Sequence, residues 1–200
     1  MPRVEPAMKE ALSREEVERF RGLRPEPGTM RYHAWNAFLV SLFARGMRFE
    51  DVALLDRRAT RSAVFTYRMD KTGELVQFRL SEPLGDVLAR YHGRAAGRRR
   101  VFPFLDKLPK GATKDQMERR IAAANAQVNA RLKELAREAE ITLPLTMHIA
   151  RHTFARLLYE KTKDILKVQR ALVHKSITTT RLYLGSIRGV ILDDDIEEIF

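Results

Sequence analysis

Cysteine is absent from the 200 residues, which excludes disulfides, a thiolate nucleophile and any zinc-thiolate site. The five histidines show no metal-type clustering with carboxylates, so no metal and no other cofactor is expected. Long apolar runs are missing too. No stretch is long enough to cross a bilayer, and the polar N-terminus lacks a signal-peptide core. No membrane partner is expected, and the chain reads as cytoplasmic. Internal repeats and low-complexity tracts are likewise absent.

What is present is a soluble, globular composition, 44% hydrophobic and 32% charged. Two hundred residues suit one domain, or one with a small appendage, and can bury a single sizeable core. Basic residues dominate, with a net charge of +11 and a pI near 10.2. That balance favours a polyanionic partner, of which nucleic acid is the commonest, and hence a nucleoid association. Charge alone names a class of partner and no activity.

Local signals divide the chain into an N-terminal arm over 1–12, a body over 13–189 and a tail over 190–200. In Leu12-Ser13-Arg14-Glu15-Glu16-Val17, Ser13 caps a helix, Glu16 closes the capping box, and Leu12 and Val17 form the staple. Arg24-Pro25-Glu26-Pro27-Gly28 breaks the chain. Thr29 then opens a second helix with Trp35, Phe38, Leu39, Leu42 and Phe43 on one stripe, and Gly46 terminates it. Residues 48–55 read as a short third helix. Residues 62–69 and 74–80 read as strands joined by the hairpin turn Asp70-Lys71-Thr72-Gly73. Ser81 caps the next helix, which carries Leu84, Val87, Leu88 and Tyr91. Arg98-Arg99-Arg100 stands beside the apolar Val101-Phe102-Pro103-Phe104, and a loop over 106–112 holds Lys107 and Lys110. One long amphipathic helix is expected from 114 to about 138, with Met117, Ile121, Val128, Leu132 and Leu135 inward. The pattern predicts an α+β fold, mainly helical, with a small antiparallel sheet.

The densest concentration of reactive side chains lies between 146 and 183. His148 and Arg151 follow Thr146, a plausible N-cap, and their spacing puts both on one helix face, one turn apart. In the first turn the helix dipole disfavours the imidazolium, and a neutral imidazole can accept a proton. A further amphipathic helix over 165–172 ends near His174. Ser176 can cap a short helix bearing Tyr183, and a tyrosine with a base in reach is a candidate nucleophile. Each piece alone has a plainer reading. Many surface helices carry a His-x-x-Arg pair, and a lone tyrosine is commonly a packing residue, as Tyr32, Tyr67, Tyr91 and Tyr159 are read to be. His152, pointing about 100° away from Arg151 on the helix, reads as a structural, buried or supporting histidine.

His-Ile-Ala-Arg-His-Thr-Phe-Ala followed by Leu-Val-His-Lys-Ser-Ile-Thr-Thr-Thr-Arg-Leu-Tyr resembles the catalytic signature of the tyrosine recombinases, the phage-integrase family. Gly46-Met47-Arg48, with Asp51 and Leu55, resembles that family's first arginine motif, although on its own Arg48 reads as a surface cation paired with Asp51. Nothing physical singles out Lys71. The resemblance does, because the family carries a catalytic lysine on such a hairpin, often followed by Thr-Gly as here. Val173 departs from the family's usual glycine before the second histidine, a difference able to tighten the turn and shift His174.

The resemblance implies that Arg48 and Arg151 hold a DNA phosphate, each through two parallel hydrogen bonds. It further implies that His174 adds a donor, His148 takes the tyrosine proton or positions the phosphate, Lys71 protonates the departing 5′ oxygen, and Tyr183 forms a 3′-phosphotyrosyl link without ATP or metal. Arg98, Arg99, Arg100, Lys107, Lys110, Lys175 and Arg181 are expected to track the DNA backbone, which sets affinity and salt dependence. The family usually places a helical DNA-clamping domain ahead of the catalytic one. This chain starts at about the latter, and alone it should grip double-stranded DNA weakly, from one side. The acidic tail, with Ile196, Ile199 and Phe200 along an apolar edge, fits the family's exchange of a C-terminal helix between subunits of a tetramer. Three functions stand: a site-specific recombinase or integrase, a type IB topoisomerase-like enzyme, or a DNA-binding module that has lost turnover.

Overall fold

The computed structural model describes residues 8–60, 62–92 and 99–192. Arg98 of the basic run and residues 193–200 of the tail lie outside them. Ten elements follow in order: α1 (Arg14–Gly22), α2 (Met30–Phe43), α3 (Phe49–Leu54), β1 (Val64–Arg68), β2 (Leu75–Arg79), α4 (Glu82–Ala89), α5 (Lys114–Glu138), α6 (Met147–Thr162), α7 (Ile165–Leu172) and α8 (Ile177–Gly185), with single 3-10 turns at Arg57–Thr60 and Pro103–Leu105. No described helix is long and apolar enough to cross a membrane.

The local signals translate directly into caps. Ser13 and Glu16 form the reciprocal capping box of α1, and Thr29 Oγ1 accepts from Tyr32 N at the start of α2. β1 and β2 pair antiparallel, Phe65 opposite Phe78 and Tyr67 opposite Val76, which places Asp70 and Lys71 at the hairpin tip. Ser81 and Thr146 occupy N-cap positions, but neither side chain makes the cap bond. At α6 the role passes to α5: Asn129 Oδ1 accepts from Met147 N at 2.9 Å.

The one-stripe reading of α2 needs correction. Tyr32, Ala34, Trp35, Asn36, Ala37, Phe38, Leu39, Val40, Ser41 and Leu42 are all buried, because α4, α5 and α6 pack around this helix. A helix buried all round shows no polar face. Its polar groups are met internally. Asn36 donates to Tyr32 O at 2.9 Å and accepts from Arg90 Nη1 at 2.7 Å. Ser41 Oγ donates to Met47 O at 2.7 Å, and Met47 N returns a bond to Ser41 O at 3.1 Å. This last pair braces the turn that carries Gly46 and Arg48.

Two apolar clusters result. The larger gathers α1 to α5, the sheet and the start of α6. The smaller holds Ala155, Tyr159, Val168, Leu172, Leu184 and Ile187, with Ala11 from the N-terminal segment. Helix α6 belongs to both, so Arg151 and His152 sit where they meet. The residues read as an arm are partly built in: Leu12 is fully buried and its N–H reaches Thr153 Oγ1 at 2.9 Å, while Lys9 bridges to Ile187.

Val173 closes α7 at φ 57° and ψ 44°, a left-handed conformation that costs a β-branched residue about 1–2 kcal/mol. The turn nonetheless holds His174 by its backbone: its N–H reaches Gln169 O at 3.0 Å, and its carbonyl accepts from Gln169 Nε2 at 3.1 Å. The expected stability order at position 173 is therefore the reverse of helix propensity. Val173→Gly should retain about 1 kcal/mol more than Val173→Ala, read from urea denaturation midpoints; an alanine variant as stable as the glycine variant would contradict the strain.

Candidate active site

A cavity of about 850 Å³ opens between the two clusters. Its lining includes all six residues of the resemblance, Arg48, Lys71, His148, Arg151, His174 and Tyr183, delivered by five different parts of the fold. Arg48 stands at the N-cap position of α3, Lys71 on the β1–β2 turn, His148 and Arg151 on α6, His174 between α7 and α8, and Tyr183 on α8.

Arg151 is the most constrained. Nη1 donates to Gly46 O at 2.8 Å and Nη2 to Leu172 O at 2.9 Å, with His174 Nε2 3.3 Å from Nη2. Two backbone carbonyls from separate turns thus hold the guanidinium in place. Gly46 is required there twice over. Its φ is +70°, and a Cβ would stand 2.9 Å from Arg151 Cγ. Arg48 contrasts with this, since its Nη1 is buried and finds no hydrogen-bond partner among the described residues. The surface pairing of Arg48 with Asp51 is not what Asp51 does. Asp51 is 4% exposed and its Oδ1 accepts from Asp70 N at 2.7 Å, tying the hairpin turn that bears Lys71 to α3.

His174 keeps its place despite Val173. Arginine only donates, so Nε2 accepts from Arg151 and the proton sits on Nδ1, 3.1 Å from Thr180 Oγ1. The Thr180 hydroxyl passes the chain on to Ser176 O at 3.3 Å. Tyr183 is half-buried, edge-on to His174 with ring centroids 5.4 Å apart. Its hydroxyl lies 2.6 Å from Nδ1 of His152, and the ammonium of Lys9 lies 4.7 Å from its ring centroid.

His152 and Lys9 are therefore the site residues that the sequence reading missed. The helical angle correctly turned His152 away from Arg151, but only the packing of α8 against α6 shows that it turns toward Tyr183. No sequence signal marks Lys9, which arrives through the bridge to Ile187. Of the described residues expected on the DNA backbone, none lines the cavity. Lys107, Lys110, Lys175 and Arg181 are exposed. Arg99 is exposed and paired with Asp56 at 2.8 Å, whereas Arg100 is half-buried, its Nη2 3.9 Å from Met117 Sδ.

Four cations, Lys9, Arg48, Lys71 and Arg151, share the cavity wall with four carboxylates, Glu50, Asp51, Asp70 and Glu118. Burial, then the neighbouring charge of Arg48, pulls Arg151 below its ordinary range. Burial pushes Tyr183 up to about 12, opposed by the Arg151 guanidinium. Burial and nearby cations depress His152 to about 4 and His174 to about 4, so both are neutral at pH 7. Among the described residues, no group of three or more His, Asp or Glu is arranged to hold a metal.

The profile of the Phage integrase family matches residues 10–187. Tyrosine recombinase XerH of Campylobacter jejuni is 58% identical over 36 residues, 18% of this chain and 10% of that protein. XerD of Halalkalibacterium halodurans is 46% identical over 52 residues, 26% of this chain and 17% of its own length. Over a longer stretch, the putative integrase/recombinase y4qK of Sinorhizobium fredii is 28% identical across 175 residues, 86% of this chain and 51% of that protein. The chain thus spans about half, or less, of the length of these curated relatives. Among solved structures, the pre-cleavage complex of XerH site-specific recombinase with its difH substrate superposes with a TM-score of 0.65 at 20% identity, covering 97% of this chain and 54% of that one. The catalytic domain of bacteriophage HP1 integrase does so with a TM-score of 0.53 at 18% identity, covering 90% and 89%. The fold is that of tyrosine recombinase catalytic domains.

The two depressed imidazoles carry a pH signature. The unfolded chain takes up their protons as pH falls through about 6.5, the folded chain only near 4. Between those values the unfolded state binds more protons, so their contribution is complete above about 6.5 and is lost toward 4. Wild type should lose more unfolding free energy between pH 6.5 and 4.5 than a His152→Gln/His174→Gln double variant; parallel pH profiles would refute the shifts.

Proposed function

Because the chain belongs to the phage integrase family, we propose that it carries the strand-cleaving chemistry of a site-specific DNA recombinase, with Tyr183 as nucleophile and double-stranded DNA as substrate. The observation that carries this reading is a half-buried phenol sharing one cavity with two guanidiniums, of which Arg48 has a buried donor with no hydrogen-bond partner among the described residues. An orphaned buried donor is costly. A phosphodiester oxygen would satisfy it.

Attack by Tyr183 Oη on phosphorus builds negative charge on the non-bridging oxygens. Fixed donors facing that charge lower the barrier most, and here they are held before substrate arrives. Arg151 is held by Gly46 and Leu172, so little reorganisation is needed when the phosphate enters. Arg48 supplies its unpaired Nη1. His174 is already hydrogen-bonded to Arg151 and stands ready to donate to the same phosphate after a change of tautomer. His148, exposed on the cavity wall, positions the phosphate. Lys71, exposed at the hairpin tip, gives a proton to the departing 5′ oxygen. The Oη–P bond forms as the P–O5′ bond breaks, leaving a 3′-phosphotyrosyl link. Rejoining is the reverse step, taken by a 5′ hydroxyl of the same or another strand.

The net charge of +11 supports the polyanionic substrate, as do the solved complexes of XerH with difH and of lambda integrase with a COC′ core site, proteins of the same fold. The exposed Lys107, Lys110, Lys175 and Arg181 would contact phosphates outside the cavity, and Arg99 would do so by exchanging Asp56 for a phosphate. Arg100 is a weaker participant, because its guanidinium is directed at Met117. We assign the segment 190–200 to subunit exchange within a tetramer. Val190 and Leu192 pack on the α8 cluster of the same chain.

On a suicide DNA substrate, wild type should accumulate a covalent protein–DNA adduct mapping to Tyr183, and Tyr183→Phe should form none. Arg48→Lys should slow adduct formation about 10²- to 10³-fold while leaving DNA binding nearly intact. An adduct on another residue, or equal loss of binding, would overturn the assignment; binding by wild type without any adduct would identify a module that has lost turnover. Deleting residues 190–200 should abolish higher assemblies on DNA in native gels, and undiminished assembly would remove the tail from the reading.

A further inference from the structure

Three imidazoles line the cavity, and among the described residues only His152 is hydrogen-bonded to the Tyr183 hydroxyl. His174 spends Nε2 on Arg151 and Nδ1 on Thr180, so neither nitrogen is free for the phenol. His148 is exposed on the wall and has no hydrogen bond to Tyr183 among the described residues. Lys9, Arg48, Lys71 and Arg151 are cations that only donate. His152 Nδ1, by contrast, stands 2.6 Å from Tyr183 Oη with the ring centroids 5.4 Å apart, within the distance that proton transfer to a general base requires.

We propose that His152 accepts the phenol proton of Tyr183 during strand cleavage, a role the sequence signature places elsewhere. The proposal rests on the strand-cleavage reading above. The Oη–H bond breaks and its proton passes to Nδ1, while Nε2 keeps its own and the ring becomes imidazolium. The Oη–P bond forms, the P–O5′ bond breaks, and the 5′ oxygen takes a proton from Lys71. Rejoining runs each transfer backwards, with imidazolium returning its proton to the leaving phenol oxygen.

The surroundings make this base conditional on substrate. Lys9, His148 and Arg151 all face His152, and together with burial they keep it neutral in the free protein, with its lone pair available to the phenol. They also make it a weak base, so the Tyr183 proton stays on oxygen and no phenolate is exposed to solvent. A bound phosphodiester brings negative charge into this cluster, and opposite charge favours the imidazolium. As Oη bonds to phosphorus its own affinity for the proton collapses. Both changes drive transfer in the same direction, and neither occurs without DNA.

The test is single-turnover cleavage of a suicide DNA substrate by wild type, His152→Ala and His152→Gln, each also prepared with 3,5-difluorotyrosine at position 183, whose phenol is more acidic. His152→Ala should cleave about 10²- to 10⁴-fold more slowly at unchanged DNA affinity, and His152→Gln similarly, since an amide can hold the hydroxyl but cannot take its proton. The fluorinated phenol should restore at least about tenfold in either variant and little in wild type. Wild-type rates in His152→Gln, or a loss that the more acidic phenol leaves untouched, would reduce His152 to a positioning residue and overturn the proposal. If His152→Ala does not fold, the glutamine pair decides on the same criteria. Failure of wild type to form any adduct would overturn the cleavage reading and this assignment together, whereas a wild-type adduct with normal rates in the variants would overturn this assignment alone.

Discussion

The guanidinium of Arg151, held between the carbonyls of Gly46 and Leu172, is the contact on which the site depends. Hydrogen bonds to a charged group contribute roughly 1.5–3 kcal/mol each, and these two join a turn after α2, the second turn of α6 and the end of α7. They also explain the local backbone. Gly46 sits at positive φ with no room for a Cβ beside Arg151. Val173 accepts a left-handed conformation in the turn that presents Leu172 O and His174. The strain and the close approach lie where the chain must converge on one cation.

Around that contact, Lys9, Arg48 and Lys71 bring further positive charge to a wall that also carries carboxylates. Burial, then Arg48, lowers Arg151, and burial, then Arg151 and Arg48, depresses His174. Of the acidic groups nearby, Asp51 gives its carboxylate to the hairpin backbone. Folding such a pocket costs stability that the apolar clusters on either side supply. Under the proposed cleavage the return is preorganisation: donors are in place for charge that would develop only as phosphorus is attacked, and they need not be drawn out of water at that moment.

The phenol is wired differently. Tyr183 sits on a short helix in the smaller cluster, and its surroundings come from α6, through His152, and from the N-terminal segment, through Lys9. That segment runs beside Ile187 and sends Leu12 N to Thr153. The chain entering the domain and the chain leaving α8 are thus hydrogen-bonded to each other directly beneath the phenol. Arg48 and Lys71 stand on elements of the larger cluster and the phenol on the smaller, with α6 shared between them.

Much of this was legible in the residues. Capping at Ser13 and Thr29, the hairpin at Asp70–Gly73, the long helix from 114 to 138 and the reactive groups His148, Arg151, His174 and Tyr183 all depend on neighbours a few positions away, and short-range chemistry is written in order along the chain. Arg48 and Lys71 were legible only through resemblance, since an arginine before a helix and a lysine in a turn are physically ordinary. What tertiary structure alone decided are the contacts between distant segments. They include the burial of α2 on every side, Asn129 standing in for Thr146 at the start of α6, Asp51 gripping the hairpin, and the phenol meeting His152 instead of His148. A helix fixes which way a side chain points about its own axis, but what it meets there is set by the helix packed against it, and that choice is made by the whole core at once.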